Sequence, residues 1–335
     1  MKSSLNIAFC GCGRIAHAHA EELKHLPGVT MYAYWNRPEE GELAAKMRAE
    51  YGGAYATDDL ARLAADPAID AVYICTLHND RLRQLRAMAE AGKPVFMEKP
   101  LALPATVLRE MRQVLQQQPI LFQSGFKTRF NSLVIAAREL LPAPEILHTH
   151  VYDALWPDNF LNDPLVGGGN LRSQGVYAAD TLHILAGSRP VSVMAMAGNR
   201  RQPSGVEDTM CATFTFANGA IGSIDVADAG NGAGTVSKFF ATMAGGDNAL
   251  SLLQRFTRLE YQPAGASAPT VRTGEEDGFR RQSEAFFTAV RNNTASPCDF
   301  TQGAIPTIMI DSALQSSRTG CRVEIDSEEW LAREG

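Results

Sequence analysis

The segment Gly11-Cys12-Gly13-Arg14-Ile15-Ala16 has the G-x-G-x-x-A spacing of a turn built to approach a pyrophosphate. In that arrangement Gly11 supplies a tight reversal, Gly13 lets the backbone come close to phosphate oxygens, and Ala16 allows a helix to pack against the preceding strand. A helix opening at Arg14 and Ile15 adds unpaired N–H groups and a positive dipole end, so the chemistry expected here is dinucleotide binding. Asn36-Arg37 stand where a second strand ends, the place from which an acidic side chain binds the ribose of NAD. No carboxylate stands there against a 2′-phosphate, and Arg37 offers it a charge-assisted partner, so NADP is expected ahead of NAD. The same guanidinium also fits stacking on the adenine of either cofactor. Glu98-Lys99-Pro100 closes the run that begins at Ala91, placing Lys99 at the carboxyl end of a strand, where open α/β sheets bind ligands. Pro100 holds Lys99 extended. On spacing alone, a surface lysine in a turn is the favoured reading of Lys99. Further on, Ser173, Tyr177 and Asp180 fall at i, i+4 and i+7 of a helical pattern and share one face.

Positioning these groups requires a parallel α/β sheet. Short β-branched runs at 5–9, 29–35, 71–76, 94–97 and 120–123 alternate with helical patterns at 15–26, 39–51, 60–65, 80–91 and 106–117. Past Phe126 the rhythm changes. Helical stretches at 132–141 and 171–186 precede expected strands at 191–197, 209–216, 221–226, 238–243 and 258–262, with turn signals at Asn218-Gly219 and Gly245-Gly246-Asp247. Two late helices at 279–292 and 302–317 lead to a short strand and an acidic tail. The expectation is an α/β chain: a Rossmann dinucleotide-binding domain over 1–125 and an α+β domain with a mostly antiparallel open sheet over 126–335.

Composition narrows the partners. With 335 residues, 45% of them hydrophobic, the chain is long enough for two ordinary cores. A net charge of −6 without basic blocks disfavours nucleic acid and anionic membrane, which leaves a small ligand. The apolar run Leu5 to Cys10 is too short to span a bilayer or to serve as a secretory signal, so a cytoplasmic location is expected. Six scattered cysteines form no framework and are read as reduced, Cys10-Gly11-Cys12 included. His148-Thr149-His150 puts two imidazoles on one strand face, but no further ligand accompanies them and no metal is expected.

The glycine turn, Asp70-Ala71-Val72-Tyr73-Ile74-Cys75-Thr76, the stretch from Gly92 to Pro100, and Gly167-Gly168-Gly169 followed by Gly175-Val176-Tyr177-Ala178-Ala179-Asp180 resemble the Gfo/Idh/MocA family. The similarity runs over nearly the whole chain, since 302–323 also resembles that family's closing helix and strand. The resemblance implies NAD(P)-dependent oxidation or reduction at a secondary alcohol or hemiacetal carbon of a sugar, sugar derivative or cyclitol. It implies that Lys99 orients the reacting oxygen and that Tyr177 stands where the family usually has its proton-accepting His, while Ser173 replaces an Asp. It also places Glu98 with Lys99 at the cofactor and reads Thr76-Leu77-His78 as the cofactor loop after the fourth strand, with Arg81 where the family has a His. Arg129 resembles the family's Arg after the last Rossmann strand. Trp156, Asn159 and Asn170, with Ser173 and Asp180, are expected near a polyol, for which an aromatic platform with amides is suited. An NAD-dependent glycoside hydrolase and a non-catalytic dinucleotide-binding regulator are the alternatives of the same fold. The one-sided sheet of the second domain predicts a homodimer or homotetramer formed through it.

Overall fold

The computed structural model describes residues 4–154, 160–201, 205–229 and 237–332. The first sheet is built from β1 (Leu5–Cys10), β2 (Val29–Trp35), β3 (Tyr55–Thr57), β4 (Ala71–Ile74), β5 (Val95–Glu98) and β6 (Phe122–Gly125). All of its pairings are parallel, in the order β3-β2-β1-β4-β5-β6. β4, β5 and β6 are buried at every position, as expected of parallel strands covered on both faces. The crossovers are α1 (Arg14–Leu23), α2 (Gly41–Tyr51), α3 (Leu60–Ala65), α4 (Arg81–Glu90) and α5 (Val107–Gln117). Strand order reverses at β1, whose neighbours are β2 and β4, so the chain leaves β1 and β4 in opposite directions and opens a crevice between their carboxyl ends. β3 was not expected. Three residues are too few to show an alternation.

The chain divides into two compact units, Met1–Gly125 with Phe279–Ala304, and Phe126–Gly278 with Ile305–Gly335. The expected change at 125/126 coincides with this division, but the expected continuous second domain over 126–335 does not: 279–304 returns to the first unit. The reason is a face of the Rossmann sheet that its own crossovers leave uncovered. Phe286 and Phe287 join Phe9, Tyr73 and Phe96 in one buried cluster. The Tyr73 hydroxyl donates to Ser283 Oγ at 3.1 Å, Gln123 Nε2 donates to the Gln282 carbonyl at 2.7 Å, and Ser124 N–H donates to the Cys298 carbonyl at 2.7 Å.

The second unit begins with α6 (Ser132–Leu140) and β7 (Ile146–Tyr152), then a π turn over Leu171–Gly175 leading into α7 (Val176–Ala186). Its strands continue as β8 (Pro190–Gly198), β9 (Thr209–Phe216), β10 (Ile221–Ala227), β11 (Phe239–Gly245), β12 (Asn248–Leu253), β13 (Arg258–Gln262) and β14 (Thr270–Thr273). After α8 (Gly278–Asn292) and α9 (Phe300–Thr319), β15 (Val323–Glu324) closes the edge. The expected acidic tail is in part a helix, α10 (Ser327–Ala332). The nine strands form one sheet in the order β14-β13-β12-β11-β7-β10-β9-β8-β15, antiparallel except where β10 runs beside β7. Both expected hairpins are present, at Gly219 between β9 and β10 and at Gly246 between β11 and β12. One sheet face is covered by α7, with the Thr149 hydroxyl donating to the Ala178 carbonyl and Leu182 lying against Gly222. The opposite face carries Ile146, Ile221, Met194 and Met196 as exposed side chains.

Among the described residues no group of three or more His, Cys, Asp or Glu is arranged to hold a metal, and no helix is long and apolar enough to cross a membrane. Among the described residues no cysteine is in a disulfide. Cys10, Cys12, Cys75 and Cys298 are buried, and burial raises the Cys12 thiol to about 12, so Cys10-Gly11-Cys12 is a pair of protonated core thiols.

Candidate functional site

The turn after β1 is shaped by two different demands on glycine. Gly11 has φ +90°, and a Cβ there would lie 2.8 Å from backbone atoms of Cys75 and Thr76, so this residue is fixed by the close approach of the end of β4. Gly13 is the N-cap of α1 and makes no side-chain capping bond, and a Cβ built on it meets nothing within 4 Å. Its lack of a side chain therefore leaves open space over the first N–H groups of α1. Ala16 is fully buried and Ile15 packs against the same core, while Arg14 is exposed. Gly11, Gly13, Asn36, Arg37, Glu40, Thr76 and Asp80 are among the residues lining a cleft of about 180 Å³ at the carboxyl ends of β1, β2 and β4. An uncapped helix N-terminus, a turn without side chains and a cleft at the reversal of strand order fit a dinucleotide.

These features separate two effects of a methyl group. Gly11→Ala is expected to destabilise the protein by about 1–3 kcal/mol through its φ and its backbone overlap. Gly13→Ala is expected to cost less than about 1 kcal/mol and to weaken NADH binding. Thermal unfolding with NADH titration, followed by fluorescence, distinguishes them.

At the end of β2, Asn36 is buried and donates from Nδ2 to the Glu40 carbonyl at 3.1 Å. Arg37 is half exposed and its Nη2 lies 3.0 Å from Glu40 Oε1. Sequence position placed no carboxylate here. The 3-10 turn Pro38–Glu40 brings one into the same cleft, and the i, i+3 spacing of Arg37 and Glu40 was the available signal.

Lys99 is 8% exposed and directly follows β5, and the Lys99–Pro100 bond after it is cis. Two buried side chains hold this turn. The Arg81 guanidinium donates to the carbonyls flanking Lys99, those of Glu98 and Pro100, and from Nε and Nη2 to the Thr76 carbonyl at 3.1 and 2.8 Å. Glu98 accepts the Lys99 N–H at 3.1 Å and lies 2.7 Å from His19 Nε2 on α1. Burial alone would raise the Glu98 carboxyl; the His19 bond and the charges of His19, Lys99 and Arg81 outweigh it and hold the carboxyl below its ordinary value. Burial brings the Arg81 guanidinium down to about 10, against the favourable charge of Glu98. Glu98, expected to touch cofactor, is a buried brace instead: it is 2% exposed and its oxygens are taken by His19 and by the Lys99 amide. Thr76 lines the cleft and donates to Gln84 Oε1 at 2.6 Å, whereas His78 is buried and is not among the residues lining that cleft. His19 and Arg81 as braces were legible only once strand ends were adjacent in space.

In the second unit, Tyr177 is 5% exposed, with Phe126 and Phe239 edge-on to its ring at 6.3 and 5.6 Å between centroids. Ser173 is buried within the π turn, so the regular α-helical offset expected between Ser173 and Tyr177 does not run through the start of this helix. Asp180 and Arg129, both expected near substrate, are joined to each other. Arg129 Nε donates to Asp180 Oδ2 at 3.3 Å, and Nη2 contacts Oδ1 more closely. Asp180 has no exposed surface, so it anchors the 3-10 turn Lys127–Phe130 to α7 and presents nothing to a ligand. Asn170 is buried and donates to Asp228. Trp156 and Asn159 lie outside the described residues.

The comparisons with known proteins agree with this architecture. Residues 5–126 match the oxidoreductase family with an NAD-binding Rossmann fold, and residues 144–238 match the GFO/IDH/MocA C-terminal domain. An uncharacterized oxidoreductase, YrbE of Bacillus subtilis, is 23% identical over 99% of this chain and 100% of its own length. Inositol 2-dehydrogenase 2 of Saccharopolyspora erythraea is 25% identical over 96% of both chains. The structure of a levoglucosan dehydrogenase in complex with NADH superposes with a TM-score of 0.88 at 19% identity, covering 96% of this chain and 99% of that one, a likeness of fold. The glycine turn, the Lys99 strand end and the two matched domains together make this chain a member of the Gfo/Idh/MocA family of oxidoreductases.

Proposed function

We propose that this protein transfers a hydride between a nicotinamide dinucleotide and a secondary alcohol or hemiacetal carbon of a sugar, sugar derivative or cyclitol. The observation that carries the reading is Lys99, a buried lysine at the carboxyl end of β5 whose flanking carbonyls are held by Arg81. When bound, the dinucleotide supplies the two-electron donor or acceptor. Gly11, Gly13 and the start of α1 bind its phosphates, and Asn36 with Glu40 and Arg37 meets its ribose end. Lys99 stabilises the charge that develops on the substrate oxygen. Tyr177, fixed in orientation by Phe126 and Phe239, exchanges the hydroxyl proton. The substrate class is supported by relatives named as inositol dehydrogenases and by a fold shared with a levoglucosan dehydrogenase.

The expectation of NADP rested on the lack of a carboxylate after β2. Glu40, in the cleft and paired with Arg37, removes that ground and supports NAD. A ribose hydroxyl donates to such a carboxylate, whereas a 2′-phosphate is repelled by it. Accordingly NADH should bind more tightly than NADPH, and Glu40→Ala should narrow the difference by about tenfold, read by fluorescence titration. Unchanged discrimination in the variant removes Glu40 from the ribose site.

The experiment that tests the function is a panel of sugars and cyclitols with NAD and NADP, followed by absorbance of the reduced nicotinamide. Glycoside cleavage without net cofactor reduction would identify the hydrolase alternative. Cofactor binding with no turnover on any member would favour the regulator. The open sheet face supports assembly with a second copy of this chain, because Ile146 lies opposite Ile221 in register and Met196 is 81% exposed on the same sheet. Sedimentation of a monomer would overturn that part.

A further inference from the structure

The carboxyl ends of β7 and β10, the one parallel pair of the second sheet, gather three buried acids. Asp153 follows β7, Asp228 follows β10, and Asp208 precedes β9. They are tied through the backbone, with Asp153 N–H donating to the Ala227 carbonyl and Asp228 N–H to the Asp208 carbonyl, each at 2.9 Å. Two of them are compensated. Asp153 accepts from Lys238 Nζ at 2.6 Å, and Asp208 accepts the N–H groups of Arg200 and Arg201 at 2.8 and 2.6 Å. The cation beside Asp228 does not reach its carboxyl: the Arg201 guanidinium donates to the Asp228 main-chain carbonyl at 2.6 Å. Among the described residues, the side-chain partner of Asp228 is the neutral amide of Asn170.

That amide is itself incomplete. Asn170 is 5% exposed, and among the described residues its Oδ1 is a buried acceptor with no hydrogen-bond partner. A buried amide oxygen left without a donor is costly unless something supplies one. Asn170 directly precedes the π turn that carries Ser173 and leads to Tyr177. Asn170 takes one carboxyl oxygen of Asp228, which leaves the second carboxyl oxygen and the amide oxygen as the remaining side-chain acceptors of these two residues.

We propose that Asn170 and Asp228 form a subsite that accepts two hydroxyl donors of a polyhydroxylated ligand. This assignment rests on the reading that the protein acts on a sugar or cyclitol. Burial, with the charges of Asp208 and Asp153 behind it, pushes the Asp228 carboxyl up to about 7, while the Asn170 bond and Arg201 oppose the rise. Asp228 therefore changes charge near neutrality. The ionised carboxylate is the stronger acceptor, so ligand affinity rises as pH increases through that range, and binding releases a proton.

The test is calorimetric titration of the NADH-loaded protein, which binds but cannot oxidise these ligands, with myo-inositol, D-glucose and 2-deoxy-D-glucose on both sides of neutrality, alongside a separate turnover assay that follows reduction of NAD by the same polyols. Wild type should bind at least one of these polyols more tightly at the higher pH. Asp228→Asn should bind it about tenfold more weakly, with the pH step abolished and NADH affinity retained. Asn170→Ala should weaken binding yet keep the step. Binding that does not change with pH in wild type, or a step that survives in Asp228→Asn, overturns the subsite; so does failure of all three polyols to bind. If Asp228→Asn does not fold, the wild-type step and Asn170→Ala still decide. Polyol binding with the expected step but no turnover would defeat the hydride-transfer reading and leave the subsite standing. Turnover with an unaltered step in Asp228→Asn would do the reverse.

Discussion

Replacing Lys99 with methionine is expected to lower kcat by about two to four orders of magnitude while leaving NADH affinity nearly unchanged. The two effects separate because the cleft that fits the dinucleotide is lined by Gly11, Gly13, Asn36, Arg37 and Thr76, not by Lys99. Methionine keeps most of the stem volume and removes the ammonium, so the buried position stays filled. The surrounding turn keeps its geometry, since Arg81 holds it through the main-chain carbonyls of Glu98 and Pro100 and Glu98 accepts the residue-99 amide. A group that acts mainly in the transition state lowers kcat and kcat/KM together. Steady-state kinetics on whichever panel substrate turns over checks this, and undiminished kcat in Lys99→Met removes the lysine from the chemistry. A fall in NADH affinity matching the fall in kcat would point instead to collapse of the strand end.

The second large effect concerns stability. Arg129→Met leaves the Asp180 carboxylate buried without its partner, and the expected loss is about 3–5 kcal/mol, measured by urea unfolding. Asp180 has no exposed surface and both of its oxygens face Arg129, so water cannot replace the guanidinium. Burial raises the Asp180 carboxyl and Arg129 opposes it, so removing Arg129 drives the acid toward its neutral form. The sign follows from linkage. With a folded-state pKa raised above the unfolded one, the variant's deficit should shrink as pH falls below that raised value and be full above it. The double change Arg129→Met with Asp180→Leu removes both charges and should recover much of the loss. A variant as stable as wild type would show that the pair contributes nothing measurable.

Both predictions involve residues visible in the sequence, yet their roles came from different sources. Gly11, Gly13 and Ala16 were readable because the strand before them and the helix after them are local patterns, and a glycine turn between such elements has few other uses. The placement of Lys99 at a strand end was equally local. The pairing of Asp180 with Arg129 was not legible, because 51 residues separate them and nothing in either neighbourhood records the other. The same holds for Glu98, whose partner His19 lies on α1, and for the pairing of Asn170 with Asp228. The unexpected strands have a similar explanation. β14 is exposed at every position and so carries no buried face to alternate, while β12, Asn248–Leu253, lacks the β-branched side chains by which strands announce themselves.

By itself the sequence determined that a dinucleotide turn opens a parallel α/β sheet and that an antiparallel sheet follows. These are properties of short windows, set by side-chain periodicity and by the few residues that permit a positive φ. Tertiary structure alone decided that 279–304 returns to cover the first sheet, that Glu40 re-enters the cleft beside Arg37, and that Glu98 and Asp180 are braces. Each of those outcomes depends on which buried charge or apolar face finds a partner, and such pairing is settled only when distant segments compete for the same space.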